Sequence, residues 1–172
     1  MTVQPPLTIE SLMHKTGKKP KLNFEIEAVL NGKVKIVPFS ELIDGPTLVS
    51  VYMRNNTSAC DKQTCALSKD LQVINRKGFK TITVSRDKSS SHLKYAEKNG
   101  VKYTLVSDPE DKFSKALDAI VEKSMYGKKY FGPLRAAYLF DGDGVLKSVI
   151  PKVEPTEHGQ QVLAEIKRLQ SE

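Results

Sequence analysis

The chain holds two cysteines, Cys60 and Cys65, and no others. A thiolate is a strong nucleophile, and two nearby thiols can exchange electrons through a disulfide. Cysteine counting alone leaves the pair open between redox work and two buried structural thiols. A chain of 172 residues is long enough to bury a core without a covalent staple, so in a reducing compartment the pair points to redox chemistry. The neighbours of Cys60 sharpen this. Asn55-Asn56-Thr57-Ser58 is a run of four good N-cap residues, which predicts a helix starting at Thr57 or Ser58. Cys60 then lies in the first turn, where free N–H groups and the positive end of the helix dipole favour a thiolate over a thiol. A structural cysteine has no use for that setting.

Other reactive side chains form no constellation. His14, His92 and His158 are scattered without ligand spacing, so all three are read as surface residues, and neither a metal nor an organic cofactor is expected. The 27 Lys and Arg against 20 Asp and Glu give a formal charge of +7, which raises a nucleic-acid partner. The lysines, however, are spread from Lys15 to Lys167, and the one tight cluster, Lys18, Lys19 and Lys21, sits near the amino terminus. The sequence has no recognition helix, zinc-finger spacing or aromatic RNA-binding signature. A solvated basic surface with a mild preference for anionic partners is expected instead. No apolar run approaches the roughly 18 residues that span a bilayer. Residues 1–12 have neither a basic n-region nor an apolar h-region. A cytoplasmic protein without a membrane partner is the expectation.

The elements that must position Cys60 follow from periodicity. Residues 1–23 read as an irregular leader with a short helix over 7–15 and a flexible linker over 16–20. Residues 24–172 read as one domain. It opens with a hairpin around Asn31-Gly32 and one helical turn over 40–43. Residues 47–53 form a nearly continuous apolar, β-branched run, the mark of a central buried strand. The helix after Cys60 carries Leu67, Leu71 and Ile74 on its apolar face and stops at Gly78. A strand over 79–84, a helix over 90–98 capped by Ser89 or Ser90, and a strand over 103–106 come next. A short helix over 112–121 and a glycine-punctuated loop over 123–134 precede a hairpin turning at Asp141-Gly142-Asp143-Gly144. An amphipathic helix over 156–169 closes the chain. This order implies an α/β architecture, a central mixed, mostly parallel sheet flanked by helices. Active groups belong where the first core strand ends and its helix begins, and Cys60 is there.

At this junction the sequence resembles a known family. Thr57-Ser58-Ala59-Cys60 matches the Thr-x-x-Cys core of peroxiredoxins, and Cys60-Asp61-Lys62-Gln63-Thr64-Cys65 resembles the Cys-x-x-x-x-Cys of their bacterioferritin-comigratory (Q-type) branch. Val106-Ser107-Asp108-Pro109, the stretch from Met125 to Gly132, Arg135, the 141–144 turn and Pro151-Lys152-Val153 also resemble that branch, in the right order. The resemblance implies a thioredoxin-like fold. It also implies a thiol peroxidase acting on hydrogen peroxide and organic hydroperoxides. Cys60 would be the nucleophile that becomes a sulfenic acid, and Thr57 and Arg135 would hold the thiolate and the peroxide. Backbone N–H groups at Ala59 and Cys60 would complete a cradle for the developing charge. Cys65 would then form an intramolecular disulfide with Cys60, reduced by a thioredoxin-type donor. The branch is often monomeric, and a monomer is the expectation taken from it.

Two positions depart from the branch. Met53 stands where the family has a proline seven residues before the cysteine, and Ser58 where this branch commonly has another. Met53 cannot fix a backbone dihedral as proline does. By residue type alone, Thr57 could be only an N-cap, Arg135 a surface arginine at a strand start and Cys65 an unreactive helix residue. A redox-sensing or partner-binding protein of the same fold is the alternative function. A disulfide oxidoreductase usually has two residues between its cysteines, and here there are four. If both thiols share one helix, five residues place them about 7.5 Å apart along the axis and roughly 140° apart around it, too far for a disulfide. Residues 57–67 must then unwind, and the polar run Asp61-Lys62-Gln63-Thr64 is expected to offer little burial against it.

Overall fold

The computed structural model of the chain describes residues 15–52 and 54–171. Residues 7–14 of the expected leader helix, His14 and Met53 fall outside that description. The elements in order are β1 (Glu25–Leu30), β2 (Lys33–Pro38), α1 (Phe39–Leu42), β3 (Thr47–Val51), α2 (Ser58–Arg76), β4 (Lys80–Ser85), α3 (Ser89–Asn99), β5 (Thr104–Ser107), α4 (Lys112–Ala116), β6 (Ile120–Met125), β7 (Lys128–Pro133), β8 (Ala137–Phe140), β9 (Leu146–Ile150) and α5 (His158–Gln170). Seven strands form one mixed sheet in the order β2-β1-β5-β4-β3-β8-β9. Parallel pairing is confined to its centre, β5-β4-β3, and the flanking pairs are antiparallel. The mostly parallel sheet expected from the sequence is thus parallel only where helical crossovers join the strands, since each hairpin adds antiparallel pairs.

The central strands are covered on both faces, which is why they read as continuous apolar runs. Val49, Val51, Ile82, Val84, Tyr138 and Phe140 face a cluster with Phe39 and Phe113, whose rings stack at 4.8 Å. Leu48, Leu105, Ala137 and Leu139 face the opposite way, against Leu67, Ile74, Val162 and Ile166 from α2 and α5. Each fully buried Val, Leu, Ile or Phe side chain among these contributes about 1.5–3 kcal/mol. Helix α5 approaches α2 closely at Gly159, where a Cβ would lie 2.6 Å from the Ala66 carbonyl oxygen and against the Asp70 carboxylate.

The amino-terminal hairpin turns through Asn31 (φ 52°) and Gly32 (φ 75°), as its sequence requires. Elsewhere the expectations need correcting. Helix α4 ends at Ala116 rather than near 121, because Asp118 takes a left-handed conformation (φ 53°) and the apolar residues after it start a strand. The loop expected over 123–134 is a hairpin, β6 paired with β7, turning at Tyr126 (φ 52°) and Gly127 (φ 76°). The N-cap of α3 is Lys88, without a side-chain cap, rather than a serine. The segment read as a flexible linker lies against the last hairpin: Gly17 N donates to Leu146 O at 2.7 Å and Leu146 N to Lys18 O at 2.9 Å.

Candidate active site

Six residues separate the end of β3 from the start of α2, whose N-cap is Thr57, in an extended conformation (φ −106°, ψ 147°). The first backbone bond of the helix runs from Asp61 N to Thr57 O at 2.8 Å. The N–H groups of Ser58, Ala59 and Cys60 precede it, at the positive end of the dipole. Thr57 makes no side-chain cap bond; its Oγ1 donates to Arg54 O at 3.0 Å. The hydrogen bond expected from Thr57 to the Cys60 sulfur is therefore not formed in this conformer, because the hydroxyl proton is held by the Arg54 carbonyl.

Cys60 is fully buried, Cys65 is exposed, and both are free thiols. The continuous helix from Ser58 to Arg76 puts them on different faces, as helical pitch dictates. Arg135 Nη2 lies 3.1 Å from Cys60 Sγ. Sheet pairing explains that contact: Val51 N donates to Ala136 O at 2.9 Å, so the residue just before β8 is carried to the end of β3, where the α2 loop begins.

A cleft of about 390 Å³ opens beside this pair, lined by Arg54, Thr57, Arg86, Asp87, Lys123, Tyr130 and Pro133. Arg86 and Lys123 were not singled out in the sequence, and Tyr130 was noted only within the 125–132 family stretch; Lys123 and Tyr130 enter through the unforeseen β6–β7 hairpin. Arg86 is held by a bidentate contact of Nε to the Asp111 carboxylate, at 3.0 and 2.9 Å. Lys123 is pushed down to about 8, first by burial and then by the positive charges of Arg135 and Arg86. The cleft therefore has a cationic rim over an aromatic and prolyl wall.

The histidines correct another expectation. His92 and His158 are both fully buried and not on the surface. His92 lies 3.2 Å from Asn55 Nδ2 and 3.1 Å from Val106 O, and burial lowers its pKa. His158 Nε2 lies 2.8 Å from Ser50 Oγ, and burial pushes the imidazole down to about 4. Among the described residues, no three His, Cys, Asp or Glu side chains are grouped to hold a metal. Also among them, no helix is long and apolar enough to cross a membrane.

The expected burial of the segment between the cysteines is also corrected. Gln63 is 1% and Thr64 6% exposed, because the helix turns these two positions inward. Gln63 Nε2 donates to Ser50 Oγ at 2.9 Å. Tyr95 Oη lies 2.8 Å from Asp61 Oδ1 and 3.0 Å from Thr64 Oγ1. The structure thus brings Cys60, Arg135 and Thr57 to one end of the sheet and leaves Cys65 outside.

Comparison with known proteins agrees with this architecture. The sequence profile of the AhpC/TSA family matches residues 18–149. Peroxiredoxin Bcp of Xanthomonas campestris pv. campestris is 32% identical over 120 residues, covering 70% of this chain and 75% of that protein. Peroxiredoxin Bcp of Escherichia coli K12 is 30% identical over 116 residues, covering 67% and 74%. A solved structure of Xanthomonas campestris Peroxiredoxin Q superposes with a TM-score of 0.79 at 24% identity, covering 90% of this chain and 98% of that one.

Proposed function

Because this chain belongs to the AhpC/TSA family, and within it to the Bcp-type peroxiredoxins, which are thiol peroxidases, we propose that Cys60 is the nucleophile, Arg135 its charge partner and Cys65 the resolving thiol. The observation that carries this reading is the 3.1 Å contact between Arg135 Nη2 and Cys60 Sγ at the amino terminus of α2. The Cys60 thiolate attacks the terminal oxygen of a peroxide, an S–O bond forms and the O–O bond breaks. The product alcohol or water leaves after taking up a proton, and Cys60 is left as a sulfenic acid. Arg135 and the free N–H groups of the first turn stabilise charge moving from sulfur to oxygen. Thr57, after a rotation that releases Arg54 O, joins them. Cys65 then attacks the sulfenic sulfur, water leaves, and a Cys60–Cys65 disulfide remains. A thioredoxin-type dithiol reduces it by exchange.

The substrates proposed are hydrogen peroxide and organic hydroperoxides, and the working form a monomer. Peroxide consumption with a thioredoxin system tests the reading on wild type, Cys60→Ser and Cys65→Ser. Cys60→Ser should be inactive, and Cys65→Ser should react once and stall. A Cys65→Ser variant that cannot react even once would invert the two roles. Rapid oxidation of wild type without turnover by thioredoxin would favour a redox sensor.

A further inference from the structure

The loop between β3 and α2 has to hold Thr57 and Cys60 in place, yet residues 53–59 contain no proline to stiffen it. Asn56 occupies the left-handed region (φ 62°). Such a segment would be loose unless something else anchors it. Asn55 is only 4% exposed and is fixed on four sides. Its backbone N–H donates to Asp87 Oδ2 at 2.9 Å, its Oδ1 accepts from Tyr52 Oη, and its Nδ2 faces Ser91 Oγ at 3.3 Å and His92 Nδ1 at 3.2 Å.

The proton positions around His92 are determined by its partners. The Val106 carbonyl, 3.1 Å from Nε2, can only accept, so Nε2 carries the proton. The Asn55 amide offers a donor at Nδ1, because its oxygen is taken by Tyr52, so Nδ1 presents a lone pair. The imidazole is therefore neutral, in the direction that burial also drives it. The other groups facing it are Ser85 Oγ at 3.4 Å from Nε2, Tyr52 Oη at 3.5 Å from Nδ1, and the charge of Asp87. Asp87 is itself anchored: Oδ2 accepts from Ser85 Oγ at 2.7 Å, and its carbonyl accepts from Ser107 Oγ at 2.6 Å.

We infer that His92 and Asn55 are positioning residues for the reactive cysteine: Nδ1 of His92 holds the Asn55 amide, and Asn55 fixes the main chain that carries Thr57 and Cys60. This rests on the reading of Cys60 as the peroxide nucleophile. The network takes over, with hydrogen bonds from α3 and the ends of β3, β4 and β5, the restraint that a proline would give. Geometry at this level matters because a misplacement of about 1 Å can cost about 10² in rate.

Two substitutions separate the positioning role from simple core filling. His92→Asn retains an acceptor at the Nδ1 position and loses the Val106 contact, whereas His92→Gln retains an amide able to reach Val106 and has no acceptor at the Nδ1 position. Stopped-flow oxidation of Cys60 by hydrogen peroxide should fall at least about tenfold in His92→Gln and stay within about threefold of wild type in His92→Asn. Asn55→Ala should be as slow as the Asn55→Ala/His92→Gln double variant, since coupled residues are not additive. Hydrogen exchange of the 54–57 amides should quicken in His92→Gln and not in His92→Asn. Equal rates and equal exchange in the two His92 variants would overturn the inference. In wild type the Asn55 amide should be protected at least about 100-fold, and an unprotected amide overturns the inference even if the His92 variants do not fold. A wild type whose Cys60 does not react with peroxide would sink the peroxidase reading alone, because the exchange measurements still decide the positioning.

Discussion

Ser50 Oγ accepts a hydrogen bond from Gln63 Nε2 at 2.9 Å and lies 2.8 Å from His158 Nε2. Gln161 Oε1, 3.4 Å from Nδ1, can only accept, so Nδ1 carries the proton; in the neutral imidazole Nε2 then holds a lone pair and accepts the Ser50 proton. This buried chain joins β3, α2 and α5 and requires a neutral His158.

Acid should therefore weaken the fold through His158. Its folded pKa of about 4 lies below the ordinary 6.5, so between these values the unfolded chain binds the extra proton and stability falls as the pH falls. The contribution is complete above pH 6.5 and is lost on the way down to pH 4. The full shift is worth on the order of 3 kcal/mol. Denaturant unfolding from pH 7 to 4.5 should show this slope, and His158→Leu should flatten it. An unchanged slope in that variant would assign the acid sensitivity to other groups such as His92.

Arg135→Ala should slow Cys60 oxidation by roughly 10²-fold or more, by analogy with the loss of one oxyanion donor. The guanidinium contacts the Cys60 sulfur directly, so the loss should appear in the single-turnover rate. A change below about threefold would make Arg135 structural and turn attention to Arg54, which lines the adjacent cleft.

What the sequence made legible was local. Four N-cap residues before Cys60 and the Asn31-Gly32 turn each fix their own backbone, so the α2 start and the first hairpin were readable. Arg135 was readable only through the family motif. The burial of His92 and His158 depends on partners 37 and 108 positions away, and a lone histidine carries no spacing signal. A weak one existed: His92 stands one turn before Tyr95, and both face inward on α3. The β6–β7 hairpin was missed because Ile120 and Val121 continue the helical period of α4, and Tyr126-Gly127 is a less familiar turn than Asn-Gly. With the hairpin went Lys123 and Tyr130, and so one wall of the cleft.

That cleft should discriminate by charge. With Arg86 paired to Asp111, Arg54 and Lys123 still outnumber Asp87 along its lining, so Cys60 should react faster with a carboxylate-bearing alkyl hydroperoxide than with a neutral one of similar size. Lys123→Met should reduce the advantage about fivefold and leave the neutral substrate nearly unchanged. Because the Lys123 amine titrates at about 8, the advantage should decline as the pH rises through 8, and it should shrink with salt. Equal rate constants for the two peroxides at low ionic strength would refute the assignment.

The final prediction concerns motion between the two thiols. Both are free on one unbroken helix, about 7.5 Å apart along its axis, whereas a disulfide needs Cα atoms within about 6.8 Å and facing Cβ vectors. Residues 57–67 must unwind before the bond closes. The segment does not open freely, since it must break Gln63 to Ser50 and both contacts of Tyr95, to Asp61 and Thr64, each worth about 1 kcal/mol net. Resolution rather than peroxide attack should therefore respond to these bonds. Tyr95→Phe, which keeps the ring and removes both of its contacts, should speed disulfide formation roughly three- to tenfold while leaving the sulfenic acid step within about twofold. Hydrogen exchange over 57–67 should rise sharply in the disulfide form while β3, β4 and β5 remain protected. An oxidised structure with the Cys60–Cys65 bond formed and the helix intact from Ser58 to Arg76 would refute the mechanism. A Tyr95→Phe variant that resolves no faster than wild type would show that the Tyr95 tether is not what limits the opening.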